Sequence, residues 1–152
     1  MGSGIAEVCA RSGVDVTVVE ADDERAERSR AAIGRSLDRG VRAGKLDQES
    51  RDEALERLAF TTTLADVEGS DAAIEAIVED EQAKRRLFKQ LDEILPDATF
   101  LASNTSSVPI MKLGAETKHP HRVLGLHFFN PVPVLPLVEI VTSIMTTPDG
   151  LT

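Results

Sequence analysis

Six short apolar runs, most of them rich in β-branched residues, recur along this 152-residue chain, and stretches with helical spacing separate most of them. They are VDVTVVE (Val14–Glu20), LAFTTTL (58–64), DAAIEAIVE (Asp71–Glu79), ATFLASN (98–104), RVLGLHFF (122–129) and LPLVEIVT (135–142). Strands that alternate with helices predict a parallel sheet with helices on both faces, a doubly wound α/β arrangement. Such a sheet gathers its ligand chemistry outside the carboxyl ends of its strands. Polar residues collect at those places here: Glu20, Glu79, the Ser-Asn-Thr-Ser-Ser run at 103–107, and His127. The last run alternates in polarity and suits an edge strand.

Between the runs the helical signals are specific. The chain opens MGSGIAEVCARSG, with Ile5, Val8 and Cys9 at helical spacing and Gly13 where a C-cap belongs. From Asp22 to about Ala43 a charged, Ala-rich stretch has its apolar positions at Ala26, Ile33 and Leu37. AGKLDQES then reads as a turn with Asp47 as N-cap of a second helix running to about Leu58. The two make a long helical hairpin, more than a minimal crossover needs. A helix from about Glu81 to Leu95 is stopped by Pro96, and VPIMKLGA forms a short one with Pro109 in its first turn. There is no internal repeat or low-complexity segment, and TTPDGLT at the end reads as a linker.

With no Trp, no Tyr and five Phe, the core must be built of Val, Ile, Leu and Ala. The net charge of −9 argues against a nucleic-acid-binding face, and no apolar run approaches the ~20 residues of a membrane span. The single cysteine, Cys9, excludes an internal disulfide framework and reads as a small core residue. A cytoplasmic location is expected, and no metal-ligand spacing is present.

Several residues could carry chemistry. Gly2 and Gly4 open a helix, and Glu20 lies eighteen residues past Gly2, near the ~20 of a dinucleotide site. Backbone N–H groups at such a helix start can face a pyrophosphate, and the acid can accept from ribose hydroxyls. An acid there favours NAD over NADP. The alternative is a plain Gly-rich helix start and a strand-capping acid. SNTSSVP (Ser103–Pro109) either caps the helix that follows or offers hydroxyls to a ligand. His127 ends an apolar strand, and Glu139 lies within an apolar one. A carboxylate at that position is costly to bury unless paired. If the two strands are neighbours, Glu139 fixes the imidazole tautomer and leaves the other ring nitrogen free for acid–base work. His119 and His121, in the polar KHPHR loop, are expected to be solvated. Arg35, Arg39, Arg42 and Lys45 form a basic stripe with only Asp38 among them, either a solvated face or a contact for anionic phosphates.

SNTSSVP, RVLGLHFFNPVPVLPLVEIV and the earlier AIVED together resemble the NAD-binding domain of L-3-hydroxyacyl-CoA dehydrogenases, of the bacterial 3-hydroxybutyryl-CoA type, over essentially the whole chain. The HFFNP block with a Glu twelve residues after its His is the most specific part. The resemblance implies a Rossmann-type NAD domain over 1–145, with residues 146–152 beginning a link to an all-helical C-terminal domain. It implies NAD-dependent interconversion of (S)-3-hydroxyacyl-CoA and 3-oxoacyl-CoA, with His127 as general base and acid and Glu139 as its support. Ser106 is implied to bond the substrate oxygen, and Asn130 to contact the nicotinamide side. Gly2 corresponds to the last glycine of the pyrophosphate turn, Glu20 to the adenosine-ribose acid, and Ala76, Glu79 and Lys84 to the cofactor cleft. The hairpin corresponds to the coenzyme A-binding excursion, with Ser36 at a contact position and Lys45 a shifted substitute for a lysine.

The chain departs from the family in lacking its first, central strand, the first two glycines of the turn and the C-terminal domain, through which a homodimer is expected. Loss of that strand leaves the inner edges of two strands unpaired. The expectation is a fragment, or a misassigned start, that is not a competent enzyme alone. The alternatives are a module for longer or dicarboxylyl acyl-CoA in a multifunctional β-oxidation protein, or a non-catalytic NAD- or CoA-binding fragment.

Overall fold

The computed structural model describes residues 1–97 and 99–147. In order these form α1 (Gly2–Arg11), β1 (Val16–Val19), α2 (Asp23–Arg42), α3 (Gln48–Glu56), β2 (Leu58–Thr61), β3 (Ala72–Glu75), α4 (Glu81–Ile94), β4 (Phe100–Ser103), α5 (Ile110–Gly114), β5 (Val123–Phe128) and β6 (Val138–Val141). All six expected strands are present, with parallel pairing wherever a helix intervenes, so the architecture is Rossmann-like α/β. Ala98, at the head of the expected ATFLASN strand, lies outside the described residues, as does the expected linker from Pro148 onward.

One compact unit comprises Met1–Asp66 with Asn130–Pro136. Here β1 pairs in parallel with β2, Val16 opposite Leu58 through Val19 opposite Thr61. Ala6, Ala10, Ile33, Leu37, Ala54 and Leu58 form its core, so α1 and the α2–α3 hairpin bury one apolar stripe each against the sheet. The hairpin begins where a carboxylate caps it. Asp22 Oδ1 accepts the Arg25 N–H at 2.8 Å, and Asp47 Oδ1 accepts the Ser50 N–H at 2.7 Å. Gly13 ends α1 with φ +86°, a left-handed turn that glycine adopts without cost. The second helix of the hairpin is shorter than its periodicity suggests: Leu58 leaves it to begin β2, where it is buried. Cys9 is half-buried, and that burial pushes its thiol up.

The other unit runs Val67–Phe129 and from Leu137 onward. Its sheet has the order β3-β4-β5-β6, the first three strands parallel and β6 antiparallel at the edge. Phe88, Leu91, Leu101, Leu113 and Val123 form the interior between the sheet and helices α4 and α5. The expected strand over Asp71–Glu79 stops at Glu75, because the Glu75 side chain takes the Ile77 N–H at 2.8 Å and turns the backbone out of the ladder. Among the described residues β1 is paired on one edge only, by β2, and β3 on one edge only, by β4.

Candidate active site

The β5–β6 ladder places His127 directly opposite Glu139. Their side chains meet with Nδ1 3.0 Å from Oε2, and the Phe129 ring packs edge-on to the imidazole at 4.8 Å. Nε2 has no hydrogen-bond partner among the described residues. The imidazole is thus held at one nitrogen and open at the other, the arrangement a general acid–base group needs. One expectation is corrected here. Every residue of β6 is exposed, and the Glu139 side chain is 54 % exposed against 24 % for His127. Antiparallel register therefore brings the pair together, not the cost of burying a carboxylate.

Gly125 sets how closely the two strands approach. A Cβ at this position would lie 2.9 Å from Val141 Cβ, closer than side-chain carbons tolerate, and 3.1 Å from Ile110 Cδ1, which would have to give way. Since Gly125 pairs with Val141 two residues from the His127–Glu139 contact, Gly125→Ala should push β6 outward. The expected result is a loss of about 1–3 kcal/mol in thermal or urea unfolding, with a weakened His127–Glu139 contact.

A second cluster lies at the ends of β3 and β4. Lys84, 1 % exposed, places its ammonium 2.6 Å from Glu75 Oε1 and 3.1 Å from Glu79 Oε2, and the Glu75 side chain is fully buried. Glu75 Oε2 also accepts from the Ser103 hydroxyl at 2.6 Å. Glu79 Oε1 accepts from the hydroxyls of Thr105 and Ser107, the latter at 2.9 Å. Burial pushes the Glu79 carboxyl up, but Thr105, Ser107 and Lys84 outweigh it and hold it at about 2. The polar residues of the SNTSS run are therefore consumed one by one: Ser103 by Glu75, Thr105 and Ser107 by Glu79, and Asn104 by the Phe128 N–H at 2.8 Å. Ser106 alone is exposed with no side-chain partner among the described residues. Lys84 is buried within this network rather than presented to solvent, and Ala76 is half-buried just beyond β3.

In the other unit Glu20 follows β1, and its Oε1 accepts the Ser29 hydroxyl at 2.5 Å; Ser3 donates in turn to Ser29 at 3.3 Å. No side chain caps α1, whose N-cap is Met1. The amides of Gly2 and Ser3 have no partner among the described residues and form the positive end of a ten-residue helix. These are donors and an acceptor of the kind that a pyrophosphate and a ribose require. Ser36 is half-buried near Glu7, a buried carboxyl that burial pushes up while Ser36, Arg11 and Arg39 draw it down. Lys45 is exposed beside an open depression lined by Gly44, Leu46, Asp47 and Ser50. Asp38 is paired with Arg51 at 2.9 Å, so it does not neutralise exposed Arg35, Arg39 and Arg42. Asn130 is exposed.

His119 is not simply solvated, as its loop composition suggests. Its Nδ1 is buried 3.5 Å from both Asp92 and Asp97. Asp92, held below the usual carboxylate range by the Lys118 N–H, Arg122 and His119 against the opposing effect of burial, draws the loop onto α4. His121 is exposed, as expected. Ser29 carries no sequence signal. Glu75 carries the one used for Glu139, an acid inside an apolar run. Asn104 is legible only as a member of the SNTSS cluster. Among the described residues no group of His, Cys, Asp or Glu could hold a metal ion, and no helix is long and apolar enough to cross a membrane.

Residues 1–152 match the family model "3-hydroxyacyl-CoA dehydrogenase, NAD binding domain". A 3-hydroxybutyryl-CoA dehydrogenase of Mycobacterium tuberculosis is 57 % identical over 148 residues, which is 96 % of this chain and 51 % of that protein. The crystal structure of M. tuberculosis FadB2 superposes with a TM-score of 0.96 at 54 % identity, covering 99 % of this chain and 53 % of that one. That of (S)-3-hydroxybutyryl-CoA dehydrogenase PaaH1 from Ralstonia eutropha gives 0.96 at 39 % identity with the same coverage. The chain spans about half the length of these relatives.

Proposed function

Because the chain belongs to the 3-hydroxyacyl-CoA dehydrogenase NAD-binding family, we propose that it is the cofactor domain of an oxidoreductase interconverting (S)-3-hydroxyacyl-CoA, most closely 3-hydroxybutyryl-CoA, and 3-oxoacyl-CoA. The observation that carries this reading is the 3.0 Å contact between His127 and Glu139. In the oxidative direction His127 Nε2 removes the proton of the 3-hydroxyl, whose oxygen becomes the carbonyl of the 3-oxo product. NAD, when bound, supplies the acceptor for the hydride that leaves C3. Glu139 stabilises the imidazolium that results and keeps Nδ1 protonated, so that the same proton returns to oxygen in the reverse direction. Ser106, with its hydroxyl uncommitted, donates to the substrate oxygen.

The residues present fit NAD. The uncapped start of α1 at Gly2 offers amides to the pyrophosphate, and Glu20, braced by Ser29, accepts from the adenosine ribose and repels a 2′-phosphate. Ala76, Glu79 and Lys84 line the cofactor cleft, Lys84 through the network it anchors, and Asn130 contacts the nicotinamide side. Ser36 and Lys45, with the arginine stripe of α2, face the phosphates of coenzyme A. Residues 1–145 form this domain, and 146–152 begin the link to a helical C-terminal domain. The exposed apolar side chains of Leu137, Val138, Ile140, Val141 and Ile144 support that extension, because further chain of the length its relatives possess would cover them. The whole protein is then a cytoplasmic homodimer through that domain. The test is NADH oxidation by the protein extended to the length of its relatives, with and without acetoacetyl-CoA. Consumption that depends on the thioester is expected; its absence with every chain length of 3-oxoacyl-CoA removes the proposal.

A further inference from the structure

β4 keeps its register with β5 only as far as Ser103 opposite Gly125, whereas β6 follows β5 to Val138 opposite Phe128. The last three residues of β5, among them His127, thus extend past the end of the neighbouring strand. Backbone left in this way needs another partner. Asn104, the first residue beyond β4, provides one: its Oδ1 accepts the Phe128 N–H at 2.8 Å. Its own N–H donates to the Glu75 carbonyl at 2.9 Å. A single residue so joins the ends of β3, β4 and β5, at the residue that follows His127.

We propose that Asn104 is a positioning residue for the His127–Glu139 pair, its side-chain amide oxygen standing in for the β4 carbonyl that β5 has outrun. The inference rests on the reading of His127 as the acid–base group. An amide suits the task because it accepts as a backbone carbonyl does and carries no charge to compete with Glu139 for the imidazolium. Alanine removes the acceptor and frees the Phe128 amide. Aspartate keeps the acceptor but adds a negative charge one residue from His127, which favours the protonated ring.

The experiment uses the extended protein and its Asn104→Ala and Asn104→Asp variants. Three readouts are taken: steady-state kinetics against pH, hydrogen exchange at the Phe128 amide, and NMR titration of the His127 ring. Asn104→Ala is expected to lower kcat ~10- to 100-fold, as misplacement of a reacting group by about 1 Å does, with the KM for NADH little changed. Its Phe128 amide exchanges faster and its His127 titration moves. Asn104→Asp restores amide protection and most of kcat, with the acid–base limb of the pH profile moved to higher pH. Wild-type kcat in Asn104→Ala, or unchanged Phe128 exchange and His127 titration in that variant, overturns the proposal. A wild-type protein without turnover removes the functional reading alone, since exchange and titration still decide whether Asn104 holds the end of β5.

Discussion

His127→Gln in the extended protein is expected to lower kcat ~100- to 10,000-fold, the range that loss of a positioned general acid–base group produces, while NADH still binds. Glutamine keeps a polar side chain of similar reach opposite Glu139, so strand pairing is preserved and the deficit belongs to proton transfer. Glu139→Gln should cost less, since the imidazole remains, edge-packed on Phe129 at 4.8 Å; what it loses is the partner that fixes its tautomer. The order of the two effects is itself informative. If Glu139→Gln exceeds His127→Gln, the carboxylate rather than the imidazole handles the proton. Steady-state kinetics on folded, cofactor-binding variants check this, and His127→Gln at wild-type rate refutes the assignment.

Lys84→Met is expected to destabilise the protein by about 3–5 kcal/mol, because it leaves a buried carboxylate without its countercharge. Lys84 and Glu75 are 1 % and 0 % exposed in their side chains, so solvent cannot take over the role of the ammonium. Urea unfolding measures the loss. Adding Glu75→Gln to Lys84→Met should recover part of it, since the orphaned charge is then gone. The network also predicts a pH dependence. Glu79 titrates at about 2 when folded, against an ordinary 4.5. Its folded pKa is depressed, so its contribution is complete above about pH 4.5 and disappears as pH falls toward 2, where the unfolded chain binds the proton first. Acid sensitivity in that window should be smaller in Lys84→Met, which lacks one of the groups that hold Glu79 down.

The sequence discloses periodicity, caps and the chemistry of strand ends well, and pairing partners poorly. Alternating strands and helices are local properties, so all six strands and the Asp47 cap are legible. His127 and Glu139 are also legible as candidates, but their contact depends on an antiparallel register that no local feature of either strand encodes. Burial does not drive Glu139 onto His127, because β6 is an exposed edge. The Lys84–Glu75 pair escaped because a lysine on a charged helix carries no sign of being buried. Its acid was visible inside an apolar run, yet its partner lies nine residues on, across a helix start. The burial of His119 is hidden in the sequence for a related reason. Asp92 reaches back from α4 to hold a loop that is polar in sequence and half-buried in space. Asn104 acts only because β5 runs beyond β4, a difference in strand length that exists in the sheet and not in either segment.

The role we propose for the His127–Glu139 site is to direct hydride between a nicotinamide cofactor and C3 of an acyl thioester. The decisive measurement is mass spectrometry of 3-hydroxybutyryl-CoA formed by the extended protein from acetoacetyl-CoA and NADH carrying deuterium at both hydrogens of nicotinamide C4. Deuterium is expected at C3 of the product, formed at a rate that falls with His127→Gln. Product without the label, or cofactor that keeps all of it in the presence of the thioester, contradicts it.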